Sequence, residues 1–392
     1  MSTPQRYILV ALPSSIARSH HTDDAFDIIS RTLSSASSEA LTHSFPIPDF
    51  KIGTLDALVQ QADELAKLDA NVEGAIHKVS DVLRSLVPGQ EGQHKLINEK
   101  PVSHYLRSFS WNKSRYRSDL PISQLLSILT REVTSLDADI KTASTSYQTT
   151  KANLLTVQRK TTGNLTTRSL APLLSRSDVL TNSEYLETLF IVVPKNLAKE
   201  FIKTYETLSP MVVPRSATKL HEDEEYVLYN VVVFKKFAHE FISKARANKY
   251  TPREFTWTTD AAAVDEREQR EVEAAEKRSF NEVLQLARTG YGELVAAWTH
   301  VKALRVFVES VLRYGLPLDF VSVVVECKAG DKTSKKCKAA LDENYGYLGG
   351  NAFGRDRKGK IKDDIAEGVH GLSIAGGHED YTAYCYFEFE VA

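Results

Sequence analysis

A glycine-rich, cationic segment near the C-terminus has the residue types closest to those of a phosphate-binding loop. It spans 345–362 and reads YGYLGGNAFGRDRKGKIK. A P-loop needs Lys and then Ser or Thr directly after its last glycine, because these side chains contact phosphate and magnesium. Arg355 and Asp356 stand there instead, so we expect a basic loop that contacts a protein partner, or a solvated turn. The partner-binding candidates are Arg355, Arg357, Lys358 and Lys360.

The cysteines and histidines do not form a metal-binding or nucleophilic pattern. The three cysteines lack C-x-x-C spacing, and Cys327 has Glu326 beside it without an assigned base. His221 stands next to Glu222 and Asp223, an acidic cluster that we expect at the surface. The HExxH, GxSxG and GxGxxG motifs are missing from the sequence. We therefore predict no catalytic residue, no cofactor and no metal, zinc included.

The composition is that of a soluble protein with room for two domains. The chain has 392 residues, of which 42% are hydrophobic and 26% charged, and a formal net charge of −2. This charge gives no general attraction to nucleic acid or anionic membrane. Tyr345 and Tyr347 adjoin basic residues and could stack on bases, but without a recognisable nucleic-acid module we expect core packing. No secretory signal or membrane span is predicted, and the few cysteines indicate reduced thiols in the cytosol.

Two long helices are predicted from apolar residues that recur every three or four positions. The first begins after Thr54, a fair N-cap, and ends near Leu86, with Asp69 as the break in its apolar seam. The second runs from near Pro121 to Lys160 and would span roughly 50 Å. Its seam consists of Ile122, Leu126, Leu129, Val133, Leu136, Ile140, Ala143, Tyr147, Thr150, Leu154 and Val157.

A third helix is predicted to end before Gly315 and Pro317, two residues that terminate helices. Its apolar side is formed by Val295, Trp298, Val301, Leu304, Val308 and Val311. Another side carries Lys302, Arg305, Glu309 and Arg313. Gly290 and Gly292 bend the helix or only weaken it. The charged segment 265–278 that precedes it is expected to be a solvated helix.

The region between the long helices has an α/β pattern. Strands are predicted at 185–193, from 211 to 214 and at 225–234, and helices at 196–208 and 236–248. The preceding residues 161–170 are expected to form a turn and a linker.

The two ends of the chain are predicted to meet in one sheet. Apolar strand patterns occur at 6–12, 320–326 and 381–391, with helices near 24–33 and 335–344. One helix therefore leaves a terminal body, a middle domain follows, and another helix returns.

Several separated segments resemble the family of V-type ATPase C subunits. They occur in the order of that family and cover most of the chain. The segments are FPIPDFKIGTLDALV at 45–59, SLDADIKTASTSYQTTKANL at 135–154, QRKTTGNLTTRSL at 158–170, EYVLYNVVVFKKFAHEF at 225–241, KYTPREF at 249–255, HVKALRVFVESVLRYGLP at 300–317 and YGYLGGNAF at 345–353.

The resemblance implies a helix-rich α+β fold of elongated shape, with a foot, a neck and a head. Residues 1–160 would form the foot and the outgoing neck helix, and 161–262 an inserted α+β head. Residues 263–317 would form the returning neck helix, antiparallel to the first, and 318–392 the C-terminal part of the foot. This layout agrees with the out-and-back path expected from the helical seams.

The resemblance also implies a non-catalytic stator subunit, located at the cytosolic face of the vacuole or another endomembrane. It would bridge the peripheral stalks, built from the E and G subunits, to the cytosolic N-terminal domain of the membrane-bound a subunit. Its release accompanies reversible separation of the ATP-hydrolysing and proton-conducting sectors. Actin is a further partner suggested by the family. The alternatives are a stand-alone, actin-binding helical adaptor of the cytoskeleton and, as a third class, a nucleotide-using enzyme.

Overall fold

A computed structural model describes residues 5–180, 183–257, 261–316, 319–328, 330–353 and 382–391, with side chains placed except at 261–262 and 350–353. The chain divides into two compact units. The terminal unit comprises Met1–Ser144 and Glu282–Ala392, and the middle unit comprises Thr145–Asn281. Each unit mixes helix and sheet, and the fold is helix-rich α+β as predicted.

The helices and strands are numbered here in chain order. They are β1 Gln5–Pro13, α1 Thr22–Ala36, β2 Ala40–Ser44, α2 Leu55–Leu86, β3 Leu96–Ile97, β4 Lys100–Pro101, α3 Val102–Arg107, α4 Ile122–Thr162, β5 Leu186–Pro194, α5 Ala198–Thr204, β6 Thr218–Glu222, β7 Tyr226–Phe234, α6 Ala238–Ala247, β8 Thr251–Arg253, α7 Ala261–Tyr314, β9 Phe320–Cys327, α8 Asp331–Tyr345 and β10 Cys385–Val391.

The sheet of the terminal unit confirms that the two chain ends pair. Its strand order is β10-β1-β9-β2, and every neighbouring pair is antiparallel. Side chains alternate along β1, so Tyr7 and Leu9 join the core with α2, α4 and α7, whereas Ile8 and Val10 join the core with α1 and α8. β2 is an edge strand of this sheet, and its short, polar sequence carries only a weak strand pattern.

Burial confirms most of the predicted seam of α2, although Leu55 at its start is exposed, and mainly the first half of the seam of α4. Thr54 caps α2, its hydroxyl accepting the N–H of Ala57 at 3.3 Å. The seam positions Leu65, Val72, Ile76, Val79 and Leu83 of α2, and Ile122, Leu129, Val133 and Ile140 of α4, are all buried. At 32 and 41 residues, both helices are well above the average helix length in globular proteins.

The glycines of α7 permit close approach of neighbouring segments. A Cβ added at Gly290 would lie 2.5 Å from Cδ1 of Ile140 on α4. A Cβ at Gly292 would lie 2.7 Å from the carbonyl oxygen of Leu96. α7 continues through both positions as one helix. The two glycines thus mark contacts and not a break in the helix.

The middle unit contains a second antiparallel sheet, of strand order β6-β7-β5-β8. α5 and α6 cover one face through Phe201 and Phe241, which are fully buried. Leu165, Leu170 and Leu174 pack on the other face. Residues 161–170 are therefore part of a core and not only a linker.

Two predicted elements of the middle unit are wrong in extent. The strand expected at 211–214 is reduced to an isolated bridge between Val212 and Val233, and the edge strand β6 lies further on. Met211 has a φ of 61° and Pro214 lacks an N–H, and both interrupt a strand. The helix expected at 196–208 is α5 alone, flanked by 3₁₀ turns at Lys195–Leu197 and Tyr205–Thr207.

A duplicated strand–helix unit forms the centre of the middle unit. The residues Val, Val, Lys, Ala, Glu, Phe and Ile of 192–202 recur at the equivalent positions of 232–242. In both copies a strand leads through a 3₁₀ turn into a helix. Because Phe190 pairs with Asn230 at the middle of β5 and β7, the copies are related by a local pseudo-two-fold axis between these residues.

Gly292→Ala should destabilise the chain by about 1–3 kcal/mol, because the added methyl group would meet backbone that cannot rotate away. Equilibrium unfolding in urea measures this loss. The matched control is Gly74→Ala in α2, where a Cβ meets nothing within 4 Å. There the helix propensity of alanine should raise stability by about 0.5–1 kcal/mol. Equal effects of the two substitutions would contradict the close approach at Gly292.

Candidate functional site

A buried charge cluster joins α2 to α7. Asp69 Oδ2 accepts Nζ of Lys302 at 2.9 Å and Nη1 of Arg305 at 2.5 Å. Lys302 and Arg305 lie on the side of α7 that carries the predicted charged residues, but this side is buried here, since Lys302 is only 4% exposed. Asp69 interrupts the apolar seam of α2 because it pairs with these two cations of α7.

Aromatic rings of α7 and β10 complete the surroundings of the two cations. Lys302 Nζ lies 4.6 Å from the ring centre of Trp298 and 5.0 Å from that of Phe389. Arg305 lies 4.3 Å from the ring centre of Phe387. Burial lowers the pKa of Lys302, and the nearby carboxylate of Asp69 opposes that shift. This cluster is suited to holding three elements together and not to moving a proton.

A polar cleft of about 440 Å³ lies beside His300 of α7. Its walls come from the loop 110–116 and from Asn98, Tyr105, Glu293 and Ala296. Arg115 bridges two carboxylates, those of Glu132 and Glu293.

His300 cannot act as a base in this cleft. Its Nδ1 lies 2.7 Å from the carbonyl oxygen of Ala296 and its Nε2 lies 3.2 Å from the amide of Asn112. A carbonyl only accepts and an amide only donates, so Nδ1 carries the proton and Nε2 accepts. Burial lowers the pKa of His300 to about 4. Both ring nitrogens are occupied, so the residue supports the loop.

The predicted partner-binding residues Arg355, Arg357, Lys358 and Lys360 lie outside the described residues, and their role stays a prediction. The segment before them is described. Tyr345 is buried at the end of α8, as expected from core packing, whereas Tyr347 in the following 3₁₀ turn is 66% exposed.

Cys327 and Glu326 point to opposite faces of the terminal sheet. Cys327 packs with Cys337 of α8, and both thiols are free and buried. The carboxylate of Glu326 accepts the side chains of Gln5 and, at 2.9 Å, Arg107. The pair therefore forms no nucleophile–base arrangement. Within the described residues, no cluster of His, Cys, Asp or Glu could hold a metal ion.

The acidic cluster at 221–223 lies at the surface but includes a structural carboxylate. Asp223 accepts the backbone N–H groups of Leu165 at 2.8 Å, Glu225 at 2.9 Å and Tyr226 at 2.6 Å. Burial raises the pKa of Asp223, but these three donors outweigh it and the net shift is downward. Asp223 thereby fastens the loop after α4 to the sheet of the middle unit.

Two features of the structure are marked in the amino-acid sequence although hydrophobic periodicity does not find them. A lone acidic residue in an apolar helical seam calls for buried cations, and Lys302 and Arg305 stand three positions apart on another predicted helix. The recurrence of 192–202 at 232–242 identifies the duplicated unit. Periodicity alone finds neither, because it treats each segment separately.

Comparisons with known proteins agree over nearly the whole chain. Residues 7–385 match the family described as the V-ATPase C subunit. The chain is 37% identical over 389 residues to the V-type proton ATPase C subunit of Saccharomyces cerevisiae, which covers 97% of both chains. It is also 37% identical to the V-type proton ATPase C 1 subunit of Macaca fascicularis, over 354 residues and 90% of both chains. The Xenopus laevis protein of that name is 37% identical over 349 residues and 88% of both chains.

Asp69→Ala should destabilise the chain by about 3–5 kcal/mol, because Lys302 and Arg305 would remain buried without a counter-charge. Thermal and urea unfolding of the full chain measure the change. Asp137→Ala serves as control, since it removes the exposed Lys78–Asp137 pair and should cost no more than about 1 kcal/mol. If Asp69→Ala lowers the free energy of unfolding by less than about 1 kcal/mol, the cluster does not hold α2 to α7.

The stabilising role of Asp223 should disappear in acid. Because its pKa is lower in the folded chain than the ordinary value of about 3.9, its contribution is complete above that pH. The contribution is lost as pH falls through the lower, folded-state pKa. The difference in unfolding free energy between wild type and Asp223→Asn should therefore be constant from pH 7 to 5 and shrink below about pH 3.9. A difference that persists unchanged into strong acid would contradict this role.

Proposed function

This chain belongs to the family of V-ATPase C subunits, and we propose from that membership that it is a non-catalytic, peripheral stator subunit of the V-type proton ATPase. The match over residues 7–385 is the observation that carries the proposal. The buried polar groups described above support it, because they hold helices and loops in place and are not arranged to attack a substrate. The chain would serve proton transport by resisting rotation.

The proposed partners are the peripheral stalks formed by the E and G subunits, and the cytosolic N-terminal domain of the membrane-bound a subunit. The middle unit would bind one E–G stalk, while the terminal unit would meet another stalk and that N-terminal domain. Two units with separate cores support this division, since each can present its own surface. α4 and α7 each contribute residues to both units.

The proposed reversible assembly requires two moderate contacts on the same chain. Once one contact forms, the second occurs at a high effective concentration, so the pair is far tighter than either contact alone. Weakening either contact then releases the chain. We propose that this is how the chain controls association of the ATP-hydrolysing and proton-conducting sectors.

The proposed location is the cytosolic face of the vacuole or another endomembrane, reached through the complex. No helix in the described part of the chain is long and apolar enough to cross a membrane. The cations Arg355, Arg357, Lys358 and Lys360 are proposed to contact another component of the ATPase.

The full chain should bind purified E–G heterodimer and restore MgATP-driven proton pumping to ATPase sectors from which the native stator protein has been removed. Gel filtration measures the first, and acidification of vesicles that carry the reassembled complex measures the second. The variant with Ala at 355, 357, 358 and 360 should restore less pumping at equal protein concentration, with an unchanged unfolding curve.

The outcomes separate the proposed classes of function. If proton pumping is not restored even at a saturating concentration of the chain, the stator role is refuted. Binding to filamentous actin together with no binding to E–G heterodimer would favour a cytoskeletal adaptor instead. Unrelated coiled-coil proteins control for general adhesion of helical partners.

A further inference from the structure

The duplicated strand–helix unit has two ends that differ in chemistry although the pseudo-two-fold axis relates them. At one end, the repeat-equivalent positions of β5, β7 and their 3₁₀ turns are occupied by Glu225, Pro194, Asn196 and Leu197. At the other end, the same positions are occupied by Tyr185, Phe234, Lys236 and Phe237. The backbone is alike, since Lys195 donates its N–H to Glu225 and Lys235 donates its N–H to Tyr185, both at 2.9 Å. The difference is therefore one of surface and not of fold.

The aromatic end displays two large apolar side chains. Tyr185 is 66% exposed and Met211 is 59% exposed. Both adjoin the turn that starts α6, since Tyr185 accepts the N–H of Lys235 and Met211 accepts that of Phe234 at 3.4 Å. We call the exposed parts of Tyr185, Met211, Phe234, Lys236 and Phe237 the Tyr185–Met211 surface.

Met211 adopts a backbone conformation that its side chain does not favour. It follows Pro210 in a turn and has a φ of 61°. Glycine is the residue suited to that position after proline, and a long side chain there costs stability. Since its side chain is mostly exposed, core packing does not account for methionine at this site. Strain of this kind is a reason to look for a binding role.

The charges at the two ends are opposite in sign. The segments next to the Tyr185–Met211 surface contribute two lysines, Lys235 and Lys236, and one carboxylate, Glu184. The other end has four carboxylates at 222–225 and two lysines, Lys195 and Lys219, which both pair with Glu222. A partner that carries carboxylates is attracted to the first end and repelled from the second.

We propose that the Tyr185–Met211 surface docks a protein segment that presents apolar side chains flanked by carboxylates. The segment packs against Tyr185 and Met211 while its carboxylates meet Lys236. The surface lies at the ends of β5 and β7 and not along a sheet edge, so docking uses side chains and adds no strand. This proposal rests on the proposed function, which makes the E–G stalk the first partner to test.

Met211→Gly separates docking from folding. Glycine suits the positive φ, so the variant should unfold at the same temperature as wild type or higher. Removal of the apolar side chain should nevertheless weaken binding to E–G heterodimer by about tenfold. Lys236→Glu should weaken binding to a similar extent, with the loss largest at low salt. Asn196→Glu, at the repeat-equivalent position, is the matched control and should leave affinity unchanged.

A labelling experiment distinguishes failure of this surface from failure of the proposed function. The thiol introduced by Met211→Cys should react rapidly with maleimide in the free chain and slowly in the complex reassembled from sectors and chain. The peptide that contains residue 211 is read by mass spectrometry. Protection without affinity for isolated E–G would assign the surface to a different component of the complex and remove E–G as its partner. Equal labelling in both states, with unchanged affinity of Met211→Gly, would overturn the surface while leaving the stator role intact.

Discussion

One buried carboxylate sets the arrangement of the terminal unit. Asp69 interrupts an otherwise apolar seam, and Lys302 and Arg305 reach it from the part of α7 between 290 and 311, which is mostly buried. A charge at this depth is tolerated only when its partners are in place, so alternative registers of α2 against α7 would leave ions unpaired. The aromatic residues of β10 cover the same cations. Helix register and the seating of the C-terminal strand thus depend on the same interaction.

Other polar side chains are also fully engaged by hydrogen bonds to the backbone. Asp223 satisfies three backbone donors, and His300 serves one amide and one carbonyl. These side chains are locked into fixed geometry and leave no free base next to a nucleophile. In both cases the polar group fixes the position of a loop.

The duplicated strand–helix unit of the middle unit has a shared core but different ends. The strands of the two copies pair side by side around Phe190 and Asn230, so that two similar helices are buried on one face of the same sheet. The interior positions Phe201 and Phe241 are the same residue in both copies, because the core constrains them equally. The ends of the copies lie at the surface, so the core does not constrain their residue types. They have become acidic on one side and aromatic and basic on the other, which allows a symmetric scaffold to distinguish partners.

Sequence alone determined the features that depend on local periodicity. The seams of α2 and α4, the cap at Thr54 and the strand patterns at both chain ends follow from spacing, because burial of one face imposes a period of 3.6 or 2. The family followed from separated segments in a shared order. Tertiary structure decided what spacing does not encode. The burial of Lys302 and Arg305 depends on a carboxylate more than two hundred residues away. The roles of Gly290 and Gly292 depend on which backbone and side chain approach them. β2 forms because β9 offers an edge, and the strand expected at 211–214 fails because the turn at Met211 brings only Val212 into register. Each of these outcomes depends on long-range contacts, which a local pattern cannot specify.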